Sequence, residues 1–256
     1  MSDAGQAIDE LIEVMDRLLG PEGCPWDREQ THESLIRYLI EESYEVIEAI
    51  NEKDMHKLRE ELGDLLLQVV FHTALGRKEG YFDFSDVAAG ISRKMIKRHP
   101  HVFGDAKRLE TGDDVMEVWE GFKRQEGKKY LLEGIPKNLP ALMRAQKLQE
   151  KAARVGFDWP SVDGAVEKFK EEVDELGQAT NKKEEIEEWG DIFFALVNVA
   201  RLQNIEPEQV LQASNDKFTR RFNYIENQIK SQGKDFPEVS LEEMDSIWEE
   251  AKTKGL

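Results

Sequence analysis

One ordered pattern of carboxylates occurs twice in this chain, and it restricts the fold more than any other feature. Glu41-Glu42-Ser43-Tyr44-Glu45 is followed by Glu61-Leu62-Gly63-Asp64, and Glu171-Glu172-Val173-Asp174-Glu175 is followed by Glu188-Trp189-Gly190-Asp191. Other pairs repeat in the same order. Trp26-Asp27 corresponds to Phe157-Asp158, Lys94 and Arg98 to Lys217 and Arg221, and Trp119 and Lys123 to Trp248 and Lys252. Such correspondences predict a duplicated chain, each half a packed supersecondary unit. Gly134-Ile135-Pro136-Lys137-Asn138-Leu139-Pro140 is the strongest break between them. The expected organisation is therefore a domain over 1–133, a linker over 134–140 and a second domain over 141–256.

The periodicity is helical throughout. Ile8, Leu11, Ile12, Met15, Leu18 and Leu19 recur at helix spacing and predict a helix over Ala7–Leu19. Further helices are expected over Thr31–Asn51, Met55–Gly76, from a Ser85 cap to Arg98, and around Asp113–Gln125. In the second half they are expected over Ala141–Val155, Val162–Thr180, Lys183–Leu202, Pro207–Lys230 and Leu241–Lys252. The segment around Leu62–Leu75 is apolar on most sides, which suits a central helix or a subunit interface. The fold class is all-α: two tandem helical bundles, each with paired acidic helices. With 8 Pro and 18 Gly the chain is poor in the turn residues of an all-β protein.

Residues three apart share a helical face, so Glu42 projects with Glu45, and Glu61 with Asp64. Two antiparallel helices would bring these four carboxylates together, and the same holds for Glu172, Glu175, Glu188 and Asp191. An empty cluster of that kind opposes folding, because like charges raise one another's pKa values. A hard divalent cation removes the penalty. All-oxygen ligands point to Mg²⁺ or Mn²⁺, and the absence of Cys and His from the set disfavours zinc. A di-iron bundle needs Glu-x-x-His pairs, which neither half contains. The competing view is a solvated acidic helix face. A single pair would suit that view better; two complete sets in order do not.

E-E-x-x-E, a spacer, then E-x-x-D resembles the MazG family of nucleoside triphosphate pyrophosphohydrolases, within the all-α pyrophosphatase superfamily. Cys24-Pro25-Trp26-Asp27 with Gln30-Thr31-His32, the stretch Lys97-Arg98-His99-Pro100-His101-Val102-Phe103-Gly104-Asp105, and Val155-Gly156-Phe157-Asp158-Trp159 are similar to MazG signatures as well. They extend the resemblance over nearly the whole chain. It implies helical bundles that form a homodimer, Mg²⁺ held by the carboxylates, and attack of water on the α-phosphorus of a (d)NTP to release pyrophosphate. It also implies broad base tolerance and a nucleotide-pool housecleaning role. One glutamate of each set could serve as base rather than ligand. Glu41 and Glu171, beside the motif, could orient water.

Phosphate charge calls for cations too. Lys217 and Arg221 lie one turn apart, as do Trp248 and Lys252, which suits a phosphate clamp beside a base-stacking ring. The alternatives are a surface ion pair for Arg221 and a core position for Trp248. The halves differ just before the motif: Lys168 precedes Glu171 by three residues, whereas Tyr38 holds that place before Glu41. The C-terminal half is therefore the expected catalytic one.

A formal net charge of −18 argues against nucleic acid or an anionic membrane as partner. One cysteine, Cys24, allows no intrachain disulfide, and no secretory signal is visible, so a cytoplasmic protein is expected. Two other function classes compete with the enzyme. A nucleotide-sensing regulatory dimer would bind without turnover, and a ligand-free acidic scaffold would show no stabilisation by Mg²⁺.

Overall fold

The computed structural model describes residues 3–105, 111, 115 and 130–256, and among them there are helices and no strands. The chain divides into two compact units, Met1–Lys123 and Arg124–Leu256. The predicted helix around Asp113–Gln125, with Trp119, Phe122 and Lys123, lies outside the described residues apart from Val115.

In the first unit the elements are α1 (Asp3–Leu19), α2 (Pro25–Arg28), α3 (Ile36–Glu52), α4 (Met55–Lys78), α5 (Phe84–Arg98) and α6 (Pro100–Phe103). α4 packs against α3 and against α1. Met15 of α1, Leu35, and Val70, Phe71, Ala74 and Leu75 of α4 form the core, with Leu11, Ile12, Leu18, Leu67 and Tyr38 packed on it. α3 starts five residues after the expected Thr31. Thr31 and Ser34 instead exchange hydrogen bonds, the N–H of each donating to the other's hydroxyl at 2.9 and 3.2 Å, a local turn that competes with the helix. α5 is capped by Asp83, in a box with Asp86, and not by the expected Ser85. The carboxylate one turn ahead of the Asp86 N–H accepts its bond more strongly than a hydroxyl would.

The second unit has α7 (Ala141–Ala153), α8 (Val162–Leu176), α9 (Lys182–Leu202), α10 (Pro207–Ser231), a 3₁₀ turn at Phe236–Glu238 and α11 (Leu241–Thr253). α8 and α9 pack extensively, α7 lies on α9, and α10 packs on α11. α8 stops at Leu176, short of the expected Thr180. The Thr180 N–H and hydroxyl instead donate to Glu184 at 2.8 and 2.7 Å, and Asn181 caps α9.

The two acidic helix pairs are built alike. Asp54 caps α4 by accepting from the N–H groups of His56 and Lys57, and Asn181 caps α9 by accepting from those of Lys183 and Glu184. Each cap stands seven residues before the first carboxylate of its E-x-x-D, Glu61 and Glu188. The cap fixes where the helix starts, and the 3.6-residue turn then fixes which way those carboxylates face.

Candidate active site

The helix pairing predicted from the three-residue spacing brings the carboxylates together in both halves. Oxygens of Glu42, Glu45 and Glu61 lie within 4.8 Å of one another, and so do oxygens of Glu172, Glu188 and Asp191. Asp64 and Glu175 complete the sets. Glu42 is held above the usual carboxylate range by burial and then by the charges of Asp64 and Glu45; Glu61 is raised by burial and by Glu45. In the second half, a hydrogen bond shared with Glu172 raises Glu175, and partial burial followed by the charges of Glu175, Glu172 and Asp191 raises Glu188. Mutual upward shifts among oxygen-only groups mark a site short of positive charge. That donor set fits a hard divalent cation.

The second cluster is paired directly with a lysine, whereas Lys57, whose charge reaches Glu61 of the first, pairs with Glu48 and Glu52. Lys168, on α8, donates to Glu171 at 2.8 Å and lies 2.8 Å from Glu172, whose side chain is almost fully buried. Both bonds raise the Lys168 pKa, so the ammonium stays charged. Glu171 itself is exposed and is tied to the cluster through this lysine.

Beside these groups lies a cavity of about 730 Å³, a size suited to a nucleotide. Lys168, Glu172 and Asp191 line one part of it. Gln149, Asn198, Arg201 and Asp158 supply the other polar groups, and Phe157, Trp159 and Phe194 the aromatic surface. Two glycines shape the wall around Phe157 and Trp159. Gly156 follows α7 with φ of +84°, a left-handed turn that suits glycine, and so turns the chain into Phe157-Asp158-Trp159. A Cβ at Gly164 would stand 2.6 Å from Trp159 Cε3, so glycine lets the indole lie against α8. Asp158 accepts from the Arg201 guanidinium, which also donates to Asn198 Oδ1 at 2.7 and 3.1 Å.

The positions of the first half that match the cavity's surroundings carry different side chains. The 131-residue offset that relates Trp26-Asp27 to Phe157-Asp158 pairs Leu18 with Gln149 and Met15 with Gln146. The 130-residue offset of Glu42 and Glu172 pairs Tyr38 with Lys168, and the 127-residue offset of Asp64 and Asp191 pairs Leu67, Phe71 and Ala74 with Phe194, Asn198 and Arg201. Met15, Leu18, Tyr38, Leu67, Phe71 and Ala74 all belong to or pack on the hydrophobic core of the first unit. In the second unit five of these six positions are polar, Gln146, Gln149, Lys168, Asn198 and Arg201, and the sixth is Phe194.

The predicted phosphate and base contacts are distributed differently. Arg221 and Trp248 come together, with the guanidinium 5.3 Å above the indole ring, but Arg221 Nε donates to the Leu256 carbonyl at 2.7 Å and Trp248 packs on Phe218. Lys252 pairs with Glu249 at 2.7 Å and Lys217 is exposed. None of these four lines the cavity. Sequence reasoning missed Gln149, Asn198 and Arg201, whose signal was a polar residue where the matching position of the other half is apolar.

The raised carboxyls fix the sign of a pH effect. Glu175 and Glu188 hold protons more tightly in the folded chain than in the unfolded one. Between the ordinary carboxylate range and their raised values the folded state binds more protons, so stability falls as pH rises through that window and stays reduced at neutral pH. Metal-free E188Q is therefore expected to melt above metal-free wild type at about pH 7.5, with the difference shrinking toward about pH 4.5 as the wild-type carboxyls are protonated. Thermal melts of both proteins across that range check this; a lower melting temperature for E188Q at neutral pH would contradict it.

Comparison with known proteins places both halves. Residues 30–103 match the model of the MazG nucleotide pyrophosphohydrolase domain, and residues 140–218 match that of phosphoribosyl-ATP pyrophosphohydrolase. The nucleoside triphosphate pyrophosphohydrolase/pyrophosphatase MazG of Thermotoga maritima is 46% identical over 255 residues, covering 98% of each chain. The nucleoside triphosphate pyrophosphohydrolase of Escherichia coli strain K12 is 45% identical over 259 residues, covering 97% of this chain and 98% of its own. A MazG-related protein of solved structure from Thermotoga maritima aligns at 27% identity and a TM-score of 0.39, over 45% of this chain and 98% of that one.

Proposed function

This chain belongs to the MazG family of nucleoside triphosphate pyrophosphohydrolases, and from that premise we propose that its C-terminal half converts (d)NTPs to (d)NMP and pyrophosphate. The observation that carries the assignment to this half is the cavity that joins Lys168, Glu172 and Asp191 to Asn198 and Arg201, against apolar core residues, Phe71 and Ala74, at the positions that match the last two. Mg²⁺ is the proposed cation, with Mn²⁺ able to replace it.

Glu172, Glu188 and Asp191 would hold the cation, and Glu42, Glu45, Glu61 and Asp64 offer the equivalent set in the first half. When bound, the cation supplies phosphate charge neutralisation and a more acidic water for in-line attack. Glu175, its pKa raised by the hydrogen bond it shares with Glu172, takes the proton of the water that attacks the α-phosphorus. Lys168 exchanges a carboxylate for a phosphate oxygen and stabilises the charge carried by the leaving pyrophosphate. Glu171, released from Lys168 in that exchange, orients the water. The aromatic and apolar wall around Phe157, Trp159 and Phe194 encloses the base, which suits broad base tolerance and a housecleaning role.

Lys217, Arg221, Trp248 and Lys252 stand outside the cavity wall. Their proposed part as phosphate and base contacts belongs to a homodimer, in which a second copy covers the exposed apolar residues Ile186, Trp189, Phe193 and Leu196 of α9. The working compartment proposed is the cytoplasm, with no nucleic acid or membrane partner; no described helix is long and apolar enough to cross a membrane.

Incubation with each common (d)NTP and Mg²⁺, separating NMP from NDP and pyrophosphate from orthophosphate, tests the proposal. NMP and pyrophosphate are the expected products. Metal-dependent binding of every triphosphate with no turnover would overturn it in favour of a nucleotide sensor.

A further inference from the structure

Asn198 stands two turns beyond Asp191 on the same face of α9, about 10 Å farther along the helix, and both residues line the C-terminal cavity. Its amide has a fixed orientation. Oδ1 accepts from Arg201 Nε at 3.1 Å and from Arg201 Nη2 at 2.7 Å. A guanidinium can only donate, so the oxygen cannot change places with Nδ2. Arg201 is held in turn by Asp158, whose Oδ1 accepts from the same Nη2 and from the Trp159 N–H. Nδ2 is therefore a donor of settled direction. It has no acceptor among the described residues, and it is not sealed in the interior as the Gln149 oxygen is. Packing does not call for such a group here, since the matching position of the first half holds Phe71, buried in the core.

The surroundings indicate which part of a nucleotide meets this donor. Lys168, Glu172 and Asp191 lie at the part of the cavity assigned to the cation and the phosphates. Around Asn198 the charge is already balanced, because the Arg201 guanidinium is paired with the Asp158 carboxylate, which lines the cavity too. A phosphate placed there would meet that carboxylate rather than an unmatched cation. Phe157 and Trp159, on either side of Asp158, add aromatic surface. The place suits an uncharged group that offers a lone pair.

We propose that Asn198 Nδ2 donates a hydrogen bond to an acceptor atom of the nucleoside, a ribose oxygen or an acceptor of the base, so that Asn198 is a substrate-binding residue of the C-terminal site. This rests on the assignment of that half as the nucleotide site.

Asn198→Asp is the direct test, because aspartate still accepts from Arg201 and lacks only the donor. Calorimetric titrations with Mg²⁺ present compare AMP with inorganic pyrophosphate, which has no nucleoside. N198D is expected to bind AMP about tenfold less tightly than wild type, the factor for one lost hydrogen bond, and to bind pyrophosphate unchanged. N198A, which removes the donor without adding a charge, should show the same contrast. If one variant fails to fold, the other decides. Ribose 5-phosphate then locates the acceptor: a matching loss puts it on the ribose, an unchanged affinity on the base. Undiminished AMP affinity in a folded variant overturns the proposal. So does an equal loss for pyrophosphate, which would mark a phosphate contact or a general effect of charge. Release of pyrophosphate from ATP by the wild type, assayed in parallel, reports on the pyrophosphohydrolase assignment separately.

Discussion

Replacing Glu172 and Glu175 together by glutamine is expected to lower pyrophosphate release from ATP by about 10²–10⁴-fold, the range for loss of a positioned acid–base group, with the metal site damaged as well. The same pair of changes at Glu42 and Glu45 should leave most of the activity. The two pairs sit in equivalent clusters, each with oxygens of three carboxylates within 4.8 Å, so the carboxylates alone do not separate the halves. The adjoining volume does. In the first unit Phe71, Ala74, Met15 and Leu18 pack in or on the hydrophobic core at the matching positions; in the second, Asn198, Arg201 and Gln149 line a cavity of about 730 Å³ beside Glu172 and Asp191. Steady-state kinetics of the two double variants check the contrast. A dominant loss in E42Q/E45Q would place the chemistry in the wrong half of this account.

Lys168→Met is expected to lower kcat/KM by about 10²-fold, comparable to removal of one charged donor aimed at a transition state. A purely structural role makes a different prediction. In the metal-free protein Lys168 bridges Glu171 and Glu172 and lowers the pKa of Glu175. If offsetting the crowded carboxylates were its whole task, a bound cation would take that task over. K168M would then bind metal more tightly and, at saturating Mg²⁺, work as well as wild type. A phosphate contact cannot be replaced in that way, so the loss should persist at saturating metal. Initial rates across a Mg²⁺ titration distinguish the two, and full recovery at high Mg²⁺ would contradict the assignment.

The acidic framework was legible in the sequence because its geometry is local. Glu42 and Glu45 share a face whatever they pack against, as do Glu61 and Asp64; the caps Asp54 and Asn181, which set the register of the opposing helices, emerge only from the structure. Duplication was legible for the same reason, since each motif recurs in order. The helix ends were less so: α3 starts at Ile36 because Thr31 and Ser34 satisfy each other first. The cavity was legible least of all. It arises from side chains on α7, α8, α9 and the 157–159 turn, such as Arg201 and Asp158, whose pairing spans 43 residues. Its polar lining shows only when each half is set against the other, Gln149 against Leu18 and Asn198 against Phe71. Lys217, Arg221, Trp248 and Lys252 were grouped by four-residue spacing, which fixes a shared helix face but not what that face meets.

Hydrolysis of ATP in H₂¹⁸O with Mg²⁺, followed by mass analysis of both products, shows which phosphorus the water attacks. One labelled oxygen is expected in AMP and none in pyrophosphate, with the labelled product lost in E172Q/E175Q. Label in pyrophosphate, or ADP and orthophosphate as the products, would contradict it.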